Sequence, residues 1–296
     1  MLDIFTKFRI IYSGVVILLC CLTAFTQGFD SKARAYEILK QTRIALGGDA
    51  VLESVQSLSA VGNFRSGSGS TQASGDLELD ILFPDMVLRS MKWSLSKEVK
   101  VTAVEGMNGR QVWRGSKEKY PGRAVGLGPI VRGSGSSEDR NTGEQSPSLI
   151  DNPDDQQIRS DFSCLTIALL LHLPDLAKAE ISLDQKDEIG ITADYLKIEI
   201  GEGTRFGLAI DRKTHLPVMA SYDLLPQREK DGKSEMLPIQ IYFSEYKPVP
   251  GKRSGDLRLP HQITKTRNGV TVEDMHITKF QLNPHLKPKQ FEQKHS

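Results

Sequence analysis

The chain has 296 residues, and 38 Lys and Arg against 37 Asp and Glu leave a formal net charge of +1, which removes the electrostatic reason to expect a nucleic-acid partner. A hydrophobic fraction of 39% with 25% charged residues is that of a folded, water-soluble chain. The length admits one large β domain or two ordinary ones.

The first thirty residues differ from the rest. Lys7 and Arg9 form a basic start, and Ile10 to Phe25 is apolar apart from Tyr12, Ser13 and Thr23. That stretch is short for a bilayer core, which takes about 20 apolar residues. The run Thr23-Ala24-Phe25-Thr26-Gln27 then offers a cleavage site near Thr26 or Gln27, so residues 1–27 read as a signal peptide. The site has Thr where a second Ala is usual, and an uncleaved N-terminal anchor is the competing reading. Neither Cys20 nor Cys21 follows a small residue as lipoprotein acylation requires. With the leader removed Cys164 stands alone, so no internal disulfide braces the fold. Cys164 lies in an apolar run and reads as a small buried hydrophobe.

Ser31 to Leu46 has the helical spacing, with Ala35, Ile38, Leu39, Thr42, Ala45 and Leu46 on one face and Gly47-Gly48 as the stop. Asp49 is placed to cap a short second helix from Ala50 to Val55. Alternation then takes over. In Asp76-Leu77-Glu78-Leu79-Asp80-Ile81-Leu82-Phe83 the apolar residues Leu77, Leu79, Ile81 and Phe83 face one way and the acids the other, the period-two signature of a strand with one buried face. Strands are predicted at Leu58 to Ser66, Gly75 to Phe83, Met86 to Leu95, Lys97 to Met107 and Arg110 to Gly115. Pro84-Asp85 and Asn108-Gly109 supply the turns of this antiparallel meander.

From Gly115 to about Ser160 the pattern dissolves into Gly, Ser and charged residues, and this reads as a flexible polar insertion, with Gly133 to Asn152 disordered. Phe162 to Leu173 is apolar almost all round and ends at Pro174. At 12 residues it is too short to cross a membrane, so it is expected as a helix buried against the apolar face of the sheet. Further strands are predicted at Ile191 to Ile200, Thr204 to Asp211, Leu216 to Leu224, Leu237 to Tyr246, Leu257 to Arg267 and Val270 to Leu282. Asp211 to Thr214, Pro248 to Gly255 and Asn268-Gly269 serve as turns.

Chemistry-bearing motifs are scarce. The six histidines form no HExxH or HxH pair, and the cysteine count rules out zinc-finger spacing. His261 and His276 fall on neighbouring predicted strands and read as surface or edge residues. The carboxylates are scattered, and nothing in the sequence pairs two of them into a hydrolase dyad. Asp211 ends a strand and opens a turn, where Asp bonds the backbone. Gly67-Ser68-Gly69-Ser70 lacks the spacing of a nucleophile elbow, and Gly133-Ser134-Gly135-Ser136 lacks the Lys of a phosphate loop. No catalytic, metal or cofactor site is assigned. Trp93, Trp113, Phe83, Tyr195, Phe206, Tyr222, Phe243 and Phe280, spread over the strands, read mostly as core. A strongly curved sheet only partly covered by a short helix would nonetheless leave an apolar cavity.

Three local runs carry a family likeness: Ala45-Leu46-Gly47-Gly48 before the first strand, Phe206-Gly207-Leu208-Ala209-Ile210-Asp211 with Leu216-Pro217, and Leu259-Pro260-His261-Gln262-Ile263 followed by Val272 to Phe280. With the order helix, Gly-Gly, helix, meander, insertion, apolar helix, second meander, residues 31–291 resemble the bacterial lipoprotein-carrier superfamily, the periplasmic LolA- and LolB-like half-barrels. The resemblance implies an antiparallel sheet that wraps around helices and shelters acyl chains. The insertion has no counterpart in a minimal carrier. The Arg that gates the cavity of the best-known carrier has three possible matches here, Arg65, Arg89 and Arg110.

The expectation is therefore an α+β protein: a strongly curved antiparallel sheet of about eleven strands, a half-barrel, wrapped around two or three helices. Residues 28–296 form a single domain with the insertion at about 116–160. The expected role is an exported, periplasmic or envelope-associated binding protein without catalysis. Its partner is a lipid or acylated protein, and membrane contact is transient or through the N-terminal segment. The expected lining is Leu79, Ile81, Phe83, Met91, Trp93, Leu196, Ile198 and Ile241 on strands, with Ile167, Leu170 and Leu171 from the apolar helix. The alternative is an interaction or envelope-sensor module on the same scaffold with a self-filled core, its partner another envelope protein.

Overall fold

The computed structural model describes residues 31–67, 72–109, 111–120, 123–124, 153–169, 180–184, 192–200, 204–224, 237–251 and 255–293. Two helices, α1 (31–46) and α2 (Asp49–Ser54), precede the sheet. Leu46 and Leu52 pack into the core, and Gly47 at φ 148° with Gly48 at φ 86° turns the chain between them. The cap of α2 is Gly48 without a side-chain bond; Asp49 sits in the first turn and pairs with Arg43 instead.

The described strands form one open antiparallel sheet. Its first arm is the meander β1 (Ser57–Ser66), β2 (Ala73–Leu82), β3 (Met86–Ser94), β4 (Lys100–Asn108), β5 (Gln111–Tyr120) and β6 (Arg123–Ala124). The second runs β7 (Glu180–Asp184), β8 (Ala193–Ile200), β9 (Thr204–Asp211), β10 (Pro217–Leu224), β11 (Leu237–Gly251), β12 (Gly255–Arg267) and β13 (Val270–Leu282). The first and last strands, β1 and β13, pair in the middle, so the sheet order is β6-β5-β4-β3-β2-β1-β13-β12-β11-β10-β9-β8-β7. The chain therefore leaves one edge at β6 and re-enters at the other edge, β7. Helix α3 (Pro153–Leu169) lies on that crossing and packs on β10 from one arm and on β4 and β5 from the other. A single helix touches both arms because the sheet curls around it.

The half-barrel and its alternation are as the sequence predicts, and Leu77, Leu79 and Ile81 of β2 are all buried. The two-residue turn Asn268-Gly269, with φ of 48° and 74°, closes the β12–β13 hairpin directly between the paired residues Arg267 and Val270.

Thirteen strands are described against about eleven expected, the additional ones being β6 with two residues and β7 with five, both too short to display a period. Three expectations are corrected. The insertion is narrower than 116–160: β5 continues to Tyr120, and α3 starts at Pro153, nine residues ahead of the expected Phe162. Pro153 at the start and Asp154 and Asp155 in the first turn are helix-initiating residues, and their polarity disguised the helix as loop. The expected disorder at Gly133 to Asn152 and the helix end at 170–173 lie outside the described residues. Pro248 and Pro250 are strand, not turn, paired with Arg258 and Asp256 of β12. The pairing of β10 with β11 stops at Tyr242, so beyond it β11 has an open side where a missing N–H costs nothing.

Candidate ligand cavity and the buried ion cluster

Of the expected lining residues, Leu79, Ile81, Ile167, Leu196, Ile198 and Ile241 are buried in the one core cluster, and Phe83, Met91 and Trp93 pack against it half-buried. Trp93 meets Phe64 edge-on with ring centroids 6.1 Å apart. Leu170 and Leu171 lie outside the described residues. Five large side chains of α3, Ile158, Phe162, Leu165, Ile167 and Leu169, are buried, as are Cys164 and Ala168. Helix and sheet thus share one apolar interior.

Into this interior the fold inserts charges. Arg89 of β3 donates from Nε to Glu105 of β4 at 3.0 Å and from a terminal nitrogen to Glu273 of β13 at 2.9 Å. Glu105 also accepts from Arg114 of β5 at 3.0 Å. The Arg89 guanidinium lies 5.6 Å from the ring centre of Phe162 on α3. Next to it, Asp161 of α3 pairs with Lys265 of β12 and accepts a 2.6 Å bond from the Tyr222 hydroxyl of β10. Lys265 stands directly opposite Glu273 in the β12–β13 register. Arg89, Glu105, Asp161, Lys265 and Glu273 are all buried.

Burial alone would push the Glu105 carboxyl up, but the Arg89 and Arg114 guanidinium groups overcome it and hold the group below its ordinary value of 4.5. Burial, and then the Asp161 charge and hydrogen bond, push the Tyr222 hydroxyl far above its usual 10.0. Cys164 is raised well above 9.0, first by burial and then by Asp161, so it is no ready nucleophile.

Between α3 and the sheet lies a void of about 30 Å³, lined by Arg89, Asp161, Lys265 and Glu273 and by apolar residues that include Leu79 and Ile241. A water needs about 10–15 Å³ of such space, so the void has room for a water or two.

The cluster is what sequence reasoning missed. Its signal was phase: Arg89 alternates with Val87 and Met91, Glu105 with Ala103 and Met107, Lys265 with Ile263, and Glu273 with Met275. Each charge stands at a position that period two assigns to the apolar face. Of the three arginines weighed as a gate, Arg89 is interior, Arg65 is 66% exposed and pairs with Asp274, and Arg110 is outside the described residues.

Other sites are structural. Asp211 accepts from the Lys213 and Thr214 backbone and the Thr214 hydroxyl, which holds its carboxyl below the usual 3.8. His261 contacts the Ile277 carbonyl at 2.7 Å and His276 contacts Gln262. Among the described residues no group of three His, Cys, Asp or Glu is placed to hold a metal, and no helix is long and apolar enough to cross a membrane.

No protein-family model and no curated protein matches the sequence. Solved structures similar to the chain include a DUF1329 family protein from Desulfovibrio piger, at 13% identity over 88% of this chain and 97% of that one, with a TM-score of 0.45. A putative outer membrane lipoprotein-sorting protein domain from Vibrio parahaemolyticus aligns at 10% identity over 88% and 97%, with a TM-score of 0.42. A LolA superfamily protein from Nitrosomonas europaea aligns at 14% identity over the same shares, with a TM-score of 0.39.

Proposed function

We propose that the chain is an exported cell-envelope binding protein that takes a lipid or a lipoprotein acyl chain into the half-barrel and performs no catalysis. On this reading residues 1–27 direct export or anchor the chain, and residues 28–296 form the binding domain. The observation that carries it is the cover of the concave face: among the described residues its apolar lining is covered by helices α1, α2 and α3, with α3 reaching both arms, and not by a second sheet.

The energetics permit exchange. The five large buried side chains of α3 are worth about 8–15 kcal/mol of burial at about 1.5–3 kcal/mol each. An acyl chain of roughly sixteen carbons recovers about 13 kcal/mol at about 0.8 kcal/mol per CH₂. Ligand and helix compete on equal terms for the same sheet. Leu79, Ile81, Ile198 and Ile241 would then line the acyl chain, with Ile167 at the helix side.

The size of the void favours a second reading. Ligand pockets measure about 300–1,000 Å³, and the space here is about 30 Å³. A half-barrel permanently filled by its own helix would serve as an interaction or sensor module. Native mass spectrometry of the purified protein, with lipid extraction, separates the two. The carrier reading expects bound lipid that disappears in a folded Ile241→Asp variant. A clean apo mass with no uptake of a fluorescent fatty acid would leave the interaction module.

A further inference from the structure

Asp161 is the carboxylate through which α3 engages the second arm of the sheet. It receives the Tyr222 hydroxyl and the Lys265 ammonium together. In the cluster as it stands, Arg89, Arg114 and Lys265 balance Glu105, Glu273 and Asp161, three charges against three. Remove the helix and its Asp161, and the sheet retains three cations against two carboxylates, one positive charge in excess. That excess sits beside the void, whose remaining walls include Leu79, Ile241, Ile263 and Met275. One polar end and greasy sides are the outline of a site for an amphiphile.

We infer that Asp161 stands in for the acid group of the ligand, so that the half-barrel accepts an anionic head on an alkyl chain and discriminates against neutral chains of the same length. The inference rests on the carrier reading proposed above. Its physical basis is that a buried cluster that includes Lys265 cannot carry an uncompensated positive charge cheaply. Lys265 makes its described ion pair with Asp161, so the lifted state of α3 is favoured when another anion arrives at Lys265 and Tyr222. A neutral acyl chain fills the same volume but leaves the cluster with three cations against two carboxylates. The helix is thereby both the plug and the internal competitor, and the head-group charge is what releases it.

The test uses the full chain and three probes: palmitate, hexadecyl phosphate and hexadecanol. Either anionic probe should bind about tenfold or more tighter than hexadecanol, and the stronger of the two identifies the head as carboxylate or phosphate. Asp161→Asn should tighten the anionic probes by about tenfold or more and leave hexadecanol nearly unchanged. Lys265→Met should erase the preference for charge. Should Asp161→Asn fail to fold, the unmodified chain answers the question through Cys164, a buried thiol of α3. Maleimide labelling at Cys164, located by mass spectrometry, should accelerate with palmitate and not with hexadecanol. Equal uptake of charged and neutral chains, indifferent to Asp161, overturns the inference and leaves the carrier standing. Competition by inorganic phosphate alone as strong as by hexadecyl phosphate also overturns it, since the chain would then contribute nothing. Failure of every probe to bind either protein removes the carrier reading and the inference with it.

Discussion

Arg89 on β3 donates hydrogen bonds of 2.9 and 3.2 Å to the two carboxylate oxygens of Glu273 on β13, although β2 and β1 lie between those strands. Along the pairing rows, Arg89 leads through Leu79 and Ala60 to Phe280, seven residues from Glu273. On a flat sheet the two residues would be about 27 Å apart, from three strand spacings of about 4.8 Å and seven rises of about 3.3 Å. No arginine and glutamate span that gap. The contact exists because the sheet curls, and it ties the curl together diagonally across the concave face.

Breaking that tie on one side should be costly. Arg89→Met leaves Glu105 and Glu273 buried without their shared cation, and a loss of about 3–5 kcal/mol in urea unfolding is expected. Changing all three residues together, Arg89→Met with Glu105→Gln and Glu273→Gln, should recover most of the loss, since the cation that loses the Glu105 carboxylate, Arg114, is 40% exposed and stays hydrated. A single-variant cost below about 1 kcal/mol would place the cluster in water instead.

Stability should fall on both sides of neutrality, with the sign set by the shifted groups. The Glu105 carboxyl is held below 4.5 in the folded protein, against burial, by Arg89 and Arg114. Its contribution is complete above about pH 4.5 and is lost as pH falls through the folded value. Tyr222 and Tyr246 are raised above 10.0 and Cys164 above 9.0, each first by burial. Their contribution is complete below about pH 9 and is lost as pH rises. Denaturation midpoints across pH should therefore form a plateau, and Glu105→Gln should be less stable at pH 7 yet lose less as pH is taken below about 4.5. A wild-type midpoint that rises on acidification contradicts the assignment.

Much of this was legible in the chain because alternation is a local signal. Asp76 to Phe83 shows its buried face in eight residues, and the Asn268-Gly269 turn announces its hairpin. The strand-and-helix order sufficed for the half-barrel. What was hidden is non-local. Arg89, Glu105, Asp161, Lys265 and Glu273 come from β3, β4, α3, β12 and β13, and only the curl brings them together. The phase of each strand marks its charge as interior, but nothing in one strand says which acid will meet which base. Pro248 and Pro250 misled for a similar reason: whether a proline breaks a strand depends on whether its other side has a neighbour.

The segment after β13 is tied to β1 through Asn283 and Pro284 and to β5 through an indole. Trp113 of β5 donates from Nε1 to the Phe291 carbonyl at 3.1 Å, and Phe291 is fully buried at the end of the short 3₁₀ turn Pro288–Phe291. Gly106, opposite Trp113 in the β4–β5 register, has no room for a methyl group because the indole ring lies over it. Gly106→Ala should displace the ring at a cost of about 1–3 kcal/mol and shift tryptophan emission to longer wavelength. Unchanged emission with unchanged stability would mean that the ring does not rest on Gly106.

Helix α3 should open before the rest of the fold. It reaches the sheet through side chains and not through a backbone ladder, whereas β1 and β13 are bonded into the sheet centre on both sides. Local openings have free energies between zero and that of global unfolding. Cys164 is fully buried on α3 and its thiol is raised by burial, so alkylating reagents reach it only in an opened state. If the helix lifts as a unit, labelling of Cys164 in native buffer will outrun the rate that global stability allows by about tenfold or more, a gap of about 1.4 kcal/mol. Hydrogen exchange should rank the same way, with amides of residues 158–169 less protected than those of β1 and β13. Asp161→Asn should widen the gap and Gly106→Ala should not, because only the first loosens the ionic contact between helix and sheet. Coincidence of the Cys164 labelling rate with global unfolding would make α3 an inseparable part of the core and leave no route by which a ligand could replace it.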